Sequence, residues 1–400
     1  MKKNNILLVC VLLILLPSFS WTMDFGLVLD QSASFNGIGN DTFTDYAGVL
    51  IPRFSTPLGD NGELYISAGL VAEYQNEEWA FLPELLRTEL SWFYDFGNLK
   101  LGRMYYSDPL GFIAEGLFDG ARFTLNTMAG SFSVGAWYTG FLYKKRANIV
   151  MTDDELEANL AKFDYNNFMD TYFAPSRAVA ALDWEHPNLW GLRTRLSFLG
   201  QFDLSDGNLS SQYLTGKLTL PLNAFLFDLG GSFELMEEFG IFGIAYAAEF
   251  RAAWTLPTPF ASRLSFLGRY SSGKNEEANL EAFLPLTTKS QGFVLKPKIP
   301  GVSMFSLDYA ARLHRTFLLS LATCYFIRND LGTYSGYLVG DEPSKGYLLG
   351  DEIFGRITWN PVSDVQFNIG AGVFMPSLGD VAPKAENMWR IEFGFVISLY

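Results

Sequence analysis

The chain has 400 residues, of which 49% are hydrophobic and 16% aromatic, and its formal net charge is −14. An acidic balance of this size argues against binding to nucleic acid, which needs a basic surface. The two cysteines, Cys10 and Cys324, are too few for a disulfide framework.

The N-terminus has the pattern of a secretory signal peptide, which we place at residues 1–20. A basic start precedes an apolar run over residues 6–16, and small residues precede the expected cleavage after Ser20. The run is shorter than the about 20 residues of a membrane-spanning helix. Cys10 would suggest a lipoprotein, but it lies within the apolar run, too early for a cleavage site. After cleavage, Cys324 has no partner for an intramolecular disulfide.

Alternating apolar and polar residues predict β-strands along the rest of the chain. We expect a first strand at residues 24–35 and a second at 45–55. Most of the runs are long enough to cross a bilayer as tilted strands of about 9–11 residues. The same alternation is found at residues 64–73, 86–95, 192–198 and 244–254.

The last strand, at residues 389–399, shows the pattern most clearly. Every second residue from Trp389 to Leu399 is large and apolar, whereas Arg390 and Glu392 fall on the opposite face. A chain built of many such strands needs lipid to cover its apolar faces, and a closed barrel leaves no unpaired edge there. We therefore predict that this strand pairs with the first one and closes a barrel.

The connections alternate between short turns and longer polar loops, as in barrels whose two rims face different compartments. Counting them predicts about 18 strands, an even number that places both termini on the periplasmic side. Residues 286–295 would break this parity as a strand, so we assign them to a loop. The longer connections are expected at residues 36–44, 75–83, 108–118, 142–175, 205–211, 273–300, 329–349 and 376–387, with a shorter one at 237–240.

The predicted fold is therefore all-β: a transmembrane antiparallel β-barrel of about 18 strands that forms one domain over residues 21–400. A soluble all-β protein is the alternative. It is disfavoured because so many strands with exposed aromatic faces are hard to place in water.

Many arginines lie on the polar faces of the predicted strands, where a wet lumen tolerates charge; facing lipid, each would cost about 2–4 kcal/mol. They indicate either a lumen that attracts anions or a wall of cross-strand ion pairs. We favour ion pairs for Arg193 and Arg195, and solute contact for Arg251, Arg263 and Arg269. The full set is Arg87, Arg122, Arg193, Arg195, Arg251, Arg263, Arg269, Arg312, Arg328, Arg356 and Arg390. Acidic residues share these faces: Glu89, Asp203, Asp228, Glu234, Glu249 and Asp308.

The connection at residues 142–175 contains a predicted helix. Thr152 is placed to cap its free amides, and Glu155 to reach back toward the cap. Such a loop either folds into the lumen and narrows it or forms a solvated external cap, and the sequence leaves both open.

The chain offers little for catalysis. His186 and His314 are its only histidines, and neither has a metal-ligand spacing with another histidine or cysteine. No serine has a base that the sequence can place beside it. We therefore predict no enzyme activity, no cofactor and no metal site.

Two stretches carry a family resemblance. The first runs through Leu99-Lys100-Leu101-Gly102-Arg103, residues 107–111 and residues 118–122; the second covers residues 349–352, 359–361 and 372–376 and ends at the closing strand. Together they resemble the alginate-export family of outer-membrane porins. The resemblance implies an 18-stranded barrel with an arginine-lined path for anionic polysaccharide, in which Arg103 and Arg122 line the lumen.

The sequence thus predicts a passive channel of the bacterial outer membrane for small or anionic solutes, oligosaccharides included. Its expected partners are outer-membrane lipid, the barrel-assembly machinery and the solutes themselves, with no nucleic acid. The alternative is a surface adhesin or structural barrel with a blocked lumen. The lumen-lining candidates are Arg87, Arg103, Arg122, Arg251, Arg263, Arg269, Arg312 and Arg356.

Overall fold

The computed structural model describes residues 23–75, 77–205, 208–275, 280–334, 338–341 and 345–399. The signal peptide predicted at residues 1–20 lies outside them. Within the described ranges the chain forms 18 strands in one sheet. The strands are β1 (Asp24–Ile38), β2 (Asp41–Leu58), β3 (Gly62–Gln75), β4 (Glu78–Tyr94), β5 (Gly97–Ser107), β6 (Glu115–Thr127), β7 (Gly130–Tyr138), β8 (Arg177–Leu189), β9 (Leu192–Asp203), β10 (Leu209–Leu222), β11 (Phe225–Glu238), β12 (Ile241–Thr255), β13 (Arg263–Ser271), β14 (Val302–His314), β15 (Phe317–Arg328), β16 (Leu348–Val362), β17 (Val365–Met375) and β18 (Met388–Leu399).

The first and last strands close the sheet into a barrel. β1 pairs with both β2 and β18, and both pairings are antiparallel. The closing register runs from Leu27 opposite Leu399 to Ile38 opposite Met388. The predicted barrel, its strand number and the closing role of the last strand are confirmed.

The apolar face of β18 points outward, as the alternation predicts. Ile391, Phe393 and Leu399 are 38%, 44% and 56% exposed. On the inner side, Arg390 and Glu392 form an ion pair at 3.2 Å. Other strands repeat this arrangement, which gives the barrel the apolar outer band that a bilayer covers.

One rim of the barrel consists mostly of tight turns. Residues 59–61, 95–96, 128–129, 190–191, 223–224, 315–316 and 363–364 connect successive strands there. In one of these turns Trp190 and Gly191 have φ angles of 54° and 86°. Two successive positive φ values give the turn the right-handed twist of the strands it joins.

The other rim carries the long loops, but two of the predicted loops are wrong. Residues 36–44 and 75–83 belong mainly to hairpins, because β1 and β2 stay paired up to Ile38 and Asp41, and β3 and β4 up to Gln75 and Glu78. The hydrogen bonds between antiparallel strands do not require lipid surroundings. A hairpin can therefore continue into water, beyond the part of the barrel that a membrane covers. Residues 286–295 form no strand, as predicted.

Three short helices lie in the loop between β7 and β8, which we call loop 139–176. They are α1 (Lys144–Ala147), α2 (Asp153–Leu160) and α3 (Phe168–Tyr172). No helix in the described ranges is both long and apolar enough to cross a membrane.

Candidate functional site: the lumen and its loops

Four of the predicted lumen-lining arginines are ion-paired along the inner wall. They are Arg87 with Glu89 at 2.9 Å, Arg122 with Asp183 at 3.1 Å, Arg269 with Glu249 at 2.6 Å, and Arg356 with Glu392 at 2.5 Å. Arg193 also pairs with Glu185, at 2.5 Å. The interpretation of the arginines as a wall of ion pairs therefore describes these positions, and it includes Arg269, for which solute contact was expected.

Three other candidates make no ion pair or side-chain hydrogen bond with any described residue: Arg251, Arg263 and Arg312. Arg251 and Arg263 share the parity of Glu249 and Arg269 on β12 and β13. Arg263 and Arg312 lie at the ends of β13 and β14 beside the rim of tight turns. Arg263 and Arg312 thus make no ion pair with a described residue near that end of the lumen, whereas Arg251 lies close enough to the Asp308 carboxylate for their charges to interact.

Arg103 does not face the lumen, which corrects the expectation drawn from the family resemblance. Its neighbours Met104 and Tyr106 are only 1% exposed and pack against the loops inside the barrel. Alternation turns Arg103 to the outer side of β5, where it forms a two-point ion pair with Asp119, at 2.8 and 2.7 Å. The guanidinium of Arg103 also donates a hydrogen bond to the carbonyl oxygen of Phe141, at 2.9 Å.

Two acidic side chains on the inner face of the barrel, Glu352 and Glu234, bind the backbone of an inserted loop. Glu352 accepts hydrogen bonds from the backbone N–H groups of Phe293, Val294 and Leu295 at 2.6, 2.9 and 3.1 Å. Glu234 accepts one from Leu284 at 2.8 Å. These acids pin the connection between β13 and β14, which we call loop 272–301, to the wall.

A short loop between β5 and β6, loop 108–114, also enters the barrel. The carboxylate of Asp108 accepts hydrogen bonds from four backbone N–H groups of the same loop, which fixes its shape. Phe112 and Ile113 are 1% and 0% exposed and pack with Phe283 and Ile299 of loop 272–301. One side of the lumen is therefore filled by a packed apolar core.

Loop 139–176 enters the lumen as well. Thr152 and Glu155 cap α2 reciprocally, as predicted. Glu155 binds the fully buried Arg177 of β8 at 2.6 Å, and Arg146 binds Glu84 of β4 at 2.5 Å. Because these contacts lie on the inner side, the alternative of an external cap is wrong for this part of the loop.

An open cavity of about 550 Å³ remains on the other side of the lumen. Its walls are the inner faces of β1–β3 and β16–β18, which contribute Asp30, Asp45, Glu73, Arg356, Asn368 and Arg390. Two lysines project into it from the inserted loops, Lys145 from loop 139–176 and Lys296 from loop 272–301. Neither lysine makes an ion pair or a side-chain hydrogen bond with a described residue.

Partial desolvation inside the barrel shifts the pKa of both lysines in the same direction. It lowers the pKa of Lys145, although the nearby Glu73 carboxylate acts in the opposite direction. It also lowers the pKa of Lys296, and the charge of Arg390 adds to the effect. The sequence gives no signal for these two residues, because their position depends on loops folding back into the barrel.

The described residues hold no group of three or more His, Cys, Asp or Glu side chains placed for a metal ion. His186 lies within β8 and His314 ends β14. His314 contacts the hydroxyl of Thr316 at 3.1 Å, within the tight turn that follows.

Comparison with known proteins gives a structural likeness without a sequence family. No family model and no curated protein matches the chain. Three similar crystal structures come from Pseudomonas aeruginosa. OccK2 (OpdF) in complex with glucuronate has a TM-score of 0.59 at 11% identity, over 94% of this chain and 96% of that one.

OprD has a TM-score of 0.59 at 12% identity, over 95% and 96% of the two chains. The outer membrane protein OpdK has a TM-score of 0.57 at 12% identity, over 94% and 99%. At identities this low, the structural likeness shows the barrel fold alone. None of these three neighbours is an alginate-export protein, so the structural comparison does not support the resemblance to that family.

Proposed function

We propose that the protein is a passive outer-membrane channel for small anionic solutes. The observation that carries this is the open cavity of about 550 Å³, into which two loop lysines project without forming an ion pair with a described residue. The likeness to the outer membrane protein OpdK and to OccK2, crystallised with glucuronate, supports the location and the class of solute.

The charges along the lumen suggest how an anion moves through it. Lys145 and Lys296 attract it into the narrow part, while the nearby Glu73 and Asp45 limit how tightly it binds. Conduction requires this balance, because a solute that binds too strongly does not leave. Beyond the cavity, the unpaired arginines near the rim of tight turns continue the positive path.

We propose Arg251, Arg263 and Arg312 as the arginines that contact solute. In the paired set, Arg87, Arg122, Arg269 and Arg356, the guanidinium charge is offset by a carboxylate, so these residues mainly hold the wall. Arg103 takes no part, because it lies on the outer side.

The size of the solute follows from the filled side of the lumen. Loops 108–114, 139–176 and 272–301 leave a cavity that suits a single sugar acid or a short oligosaccharide. Alginate is a polymer of sugar acids, so an alginate-type cargo fits only as a short piece. That finer assignment rests on the sequence resemblance alone.

Location follows from the same proposal. Residues 1–20 act as a signal peptide, the barrel-assembly machinery inserts residues 21–400, and outer-membrane lipid covers the apolar outer band. A surface adhesin with a blocked lumen is the competing hypothesis, and it predicts no conductance.

Reversing the charge of both lysines tests the channel. One unit of charge about 4 Å from an ion contributes about 1 kcal/mol in water. The Lys145→Glu and Lys296→Glu double variant should therefore lower the anion-to-cation permeability ratio by at least about tenfold. The measurement is the reversal potential of single channels in a planar bilayer under an ion gradient.

Lys384→Glu is the matched control, because Lys384 is exposed in the connection between β17 and β18 and does not line the cavity. Its permeability ratio should equal that of the wild type. A silent wild-type barrel would overturn the proposal, and so would equal ratios in all three proteins.

A further inference from the structure

The ladder between β4 and β5 stops halfway up the barrel wall. Its last pair is Thr88 with Arg103, although β4 begins at Glu78 and β5 continues to Ser107. On its other side, β4 stays paired with β3 up to Glu78. Residues 78–87 of β4 therefore have no described strand partner on the side of β5, and we call this gap the β4–β5 seam.

The sequence of β4 suits an unpaired edge. Pro83 has no N–H to donate, and proline in a sheet is confined mainly to edges. The carbonyl oxygens of β4 along the seam accept hydrogen bonds from side chains instead. The donors are the hydroxyl of Tyr165 to Phe81, the hydroxyl of Tyr172 to Pro83 at 3.0 Å, and the guanidinium of Arg103 to Leu85 at 2.5 Å.

Loop 139–176 passes through the barrel wall at this seam. The carbonyl of Phe141 binds the outward Arg103, and its ring packs on Tyr138. Two residues later, Tyr143 packs against Val71 and Leu82, whose side chains face the lumen. The chain therefore crosses from the outer side to the inner side within three residues.

The end of loop 139–176 runs beside its beginning. Phe173 forms a β-bridge with Tyr143, and the ring of Tyr172 lies 5.0 Å from that of Tyr143. Phe163 and Phe168 complete this aromatic group, with rings 5.9 Å apart. The seam is therefore filled by packed apolar side chains, and it is closed by rings and side-chain hydrogen bonds rather than by a backbone ladder. We call this filled gap the apolar passage.

The inner end of the passage carries three basic residues, with the Glu73 and Glu84 carboxylates close by. Lys144, Lys145 and Arg146 follow Tyr143 directly. Arg146 pairs with Glu84, and the ammonium of Lys144 donates to the carbonyl of Ala158. Lys145 makes no ion pair with a described residue, although the Glu73 carboxylate lies near it, and it borders the open cavity. An apolar passage that ends at an unpaired ammonium group matches a molecule with an apolar chain and an anionic head.

We propose that the β4–β5 seam is a binding site for a single-chain anionic amphiphile that enters from the membrane. Its chain lies among the rings of loop 139–176, and its carboxylate lies at Lys145. The chain part of the site lies in the side of the barrel wall, whereas the head-group part shares Lys145 with the proposed path of small anions and rests on that proposal.

Photo-crosslinking locates the site directly. The probe is a long-chain fatty acid with a diazirine at mid-chain, added to the full-length barrel in lipid vesicles and mapped by mass spectrometry. We expect saturable labelling of residues 81–85 and 141–173, which excess unlabelled fatty acid removes. Labelling spread evenly over the outer faces of all the strands would overturn the proposal.

A second measurement tests the seal. Tyr165→Phe with Tyr172→Phe removes the two hydroxyl donors, each of which contributes a modest hydrogen bond. We expect the initial labelling rate to rise about tenfold. Tyr325→Phe is the matched control, because that hydroxyl donates to the carbonyl of Leu378, in a loop away from the seam. An equal rise in the control variant would contradict the role of the seam.

The head group is tested with Lys145→Gln. This variant should bind the fatty acid about tenfold more weakly but bind the alcohol of the same chain length unchanged, because only the acid carries a charge. Equal affinities of wild type and variant for the acid would refute the assignment of Lys145. Heat-modifiable gel migration checks that each variant barrel has folded. Axial conductance is recorded separately, so failure of this site and failure of the channel are distinguishable.

Discussion

The two sides of the barrel interior are occupied in opposite ways. Beneath β5–β12, apolar side chains from three inserted loops pack against the wall until residues such as Phe112 and Phe283 are almost fully buried. Beneath β1–β3 and β18, charged and polar side chains border open space instead. The apolar residues of the inserted loops fill one side of the lumen, and this packing fixes the positions of their lysines on the other side.

Removing a ring from the filled side should have the largest effect. Phe112→Ala should lower the free energy of unfolding by about 3–5 kcal/mol, the usual cost of deleting a buried phenylalanine ring. Loop 108–114 then loosens, and single-channel conductance should rise. Denaturant unfolding in lipid vesicles measures the first effect. Phe112→Leu keeps most of the volume and should stay near the wild type in both; unchanged values for Phe112→Ala would show that the loop is not seated.

The next effect comes from the attachment of loop 272–301. Glu352→Ala removes the acceptor of three backbone N–H groups, each of which costs about 1–3 kcal/mol when left buried and unpaired. We expect at least about 3 kcal/mol lower stability and faster hydrogen exchange at residues 293–295. Glu352→Gln retains one acceptor oxygen and should lose less. Exchange rates equal to the wild type in Glu352→Ala would contradict the attachment.

The open side is probed by pH. Burial lowers the pKa of both Lys145 and Lys296, so these lysines lose their charge at a lower pH than an exposed lysine does. The anion preference should therefore fall, as pH rises, before the ordinary lysine range is reached, by about tenfold once both charges are gone. Reversal potentials over a pH series measure it. A Lys145→Arg and Lys296→Arg variant keeps its charge and its preference; a parallel fall in that variant would exclude the lysines as the cause.

The smallest effect concerns the helix that links the two sides. Thr152→Ala removes the capping hydroxyl of α2 and should cost about 1 kcal/mol, seen as about fivefold faster exchange of the helix amides. Thr152→Ser keeps the hydroxyl and serves as the control. If both variants exchanged alike, the cap would have no measurable part in holding the loop.

The sequence alone predicts most of the wall and little of the interior. The alternation of apolar and polar residues is a local property of each strand. It therefore predicts where β18 lies and which of its faces points outward, and with the connections it predicts the number of strands. It fails at residues 75–83, where the polar residues Gln75 and Glu78 are already paired at the tip of a hairpin and the apolar residues 79–83 continue its second strand. The capping box at Thr152 is local as well, and it is confirmed.

The lumen depends on contacts between distant segments, which no local pattern reports. Lys145 and Lys296 meet only because loop 139–176 and loop 272–301 fold back into the barrel. For Arg103, parity along the predicted strand is ambiguous, and the family resemblance alone places it in the lumen. Pro83 was a readable signal for the seam, since proline in a strand indicates an edge.

The attachment of loop 272–301 through Glu352 has a consequence for how the protein responds to salt concentration. Its bonds join a carboxylate to peptide N–H groups in a buried place, so dissolved salt screens them weakly. The exposed ends of the lysines in the cavity are screened much more. As the salt concentration rises, the cavity should therefore keep its shape while its electrostatic attraction for anions weakens.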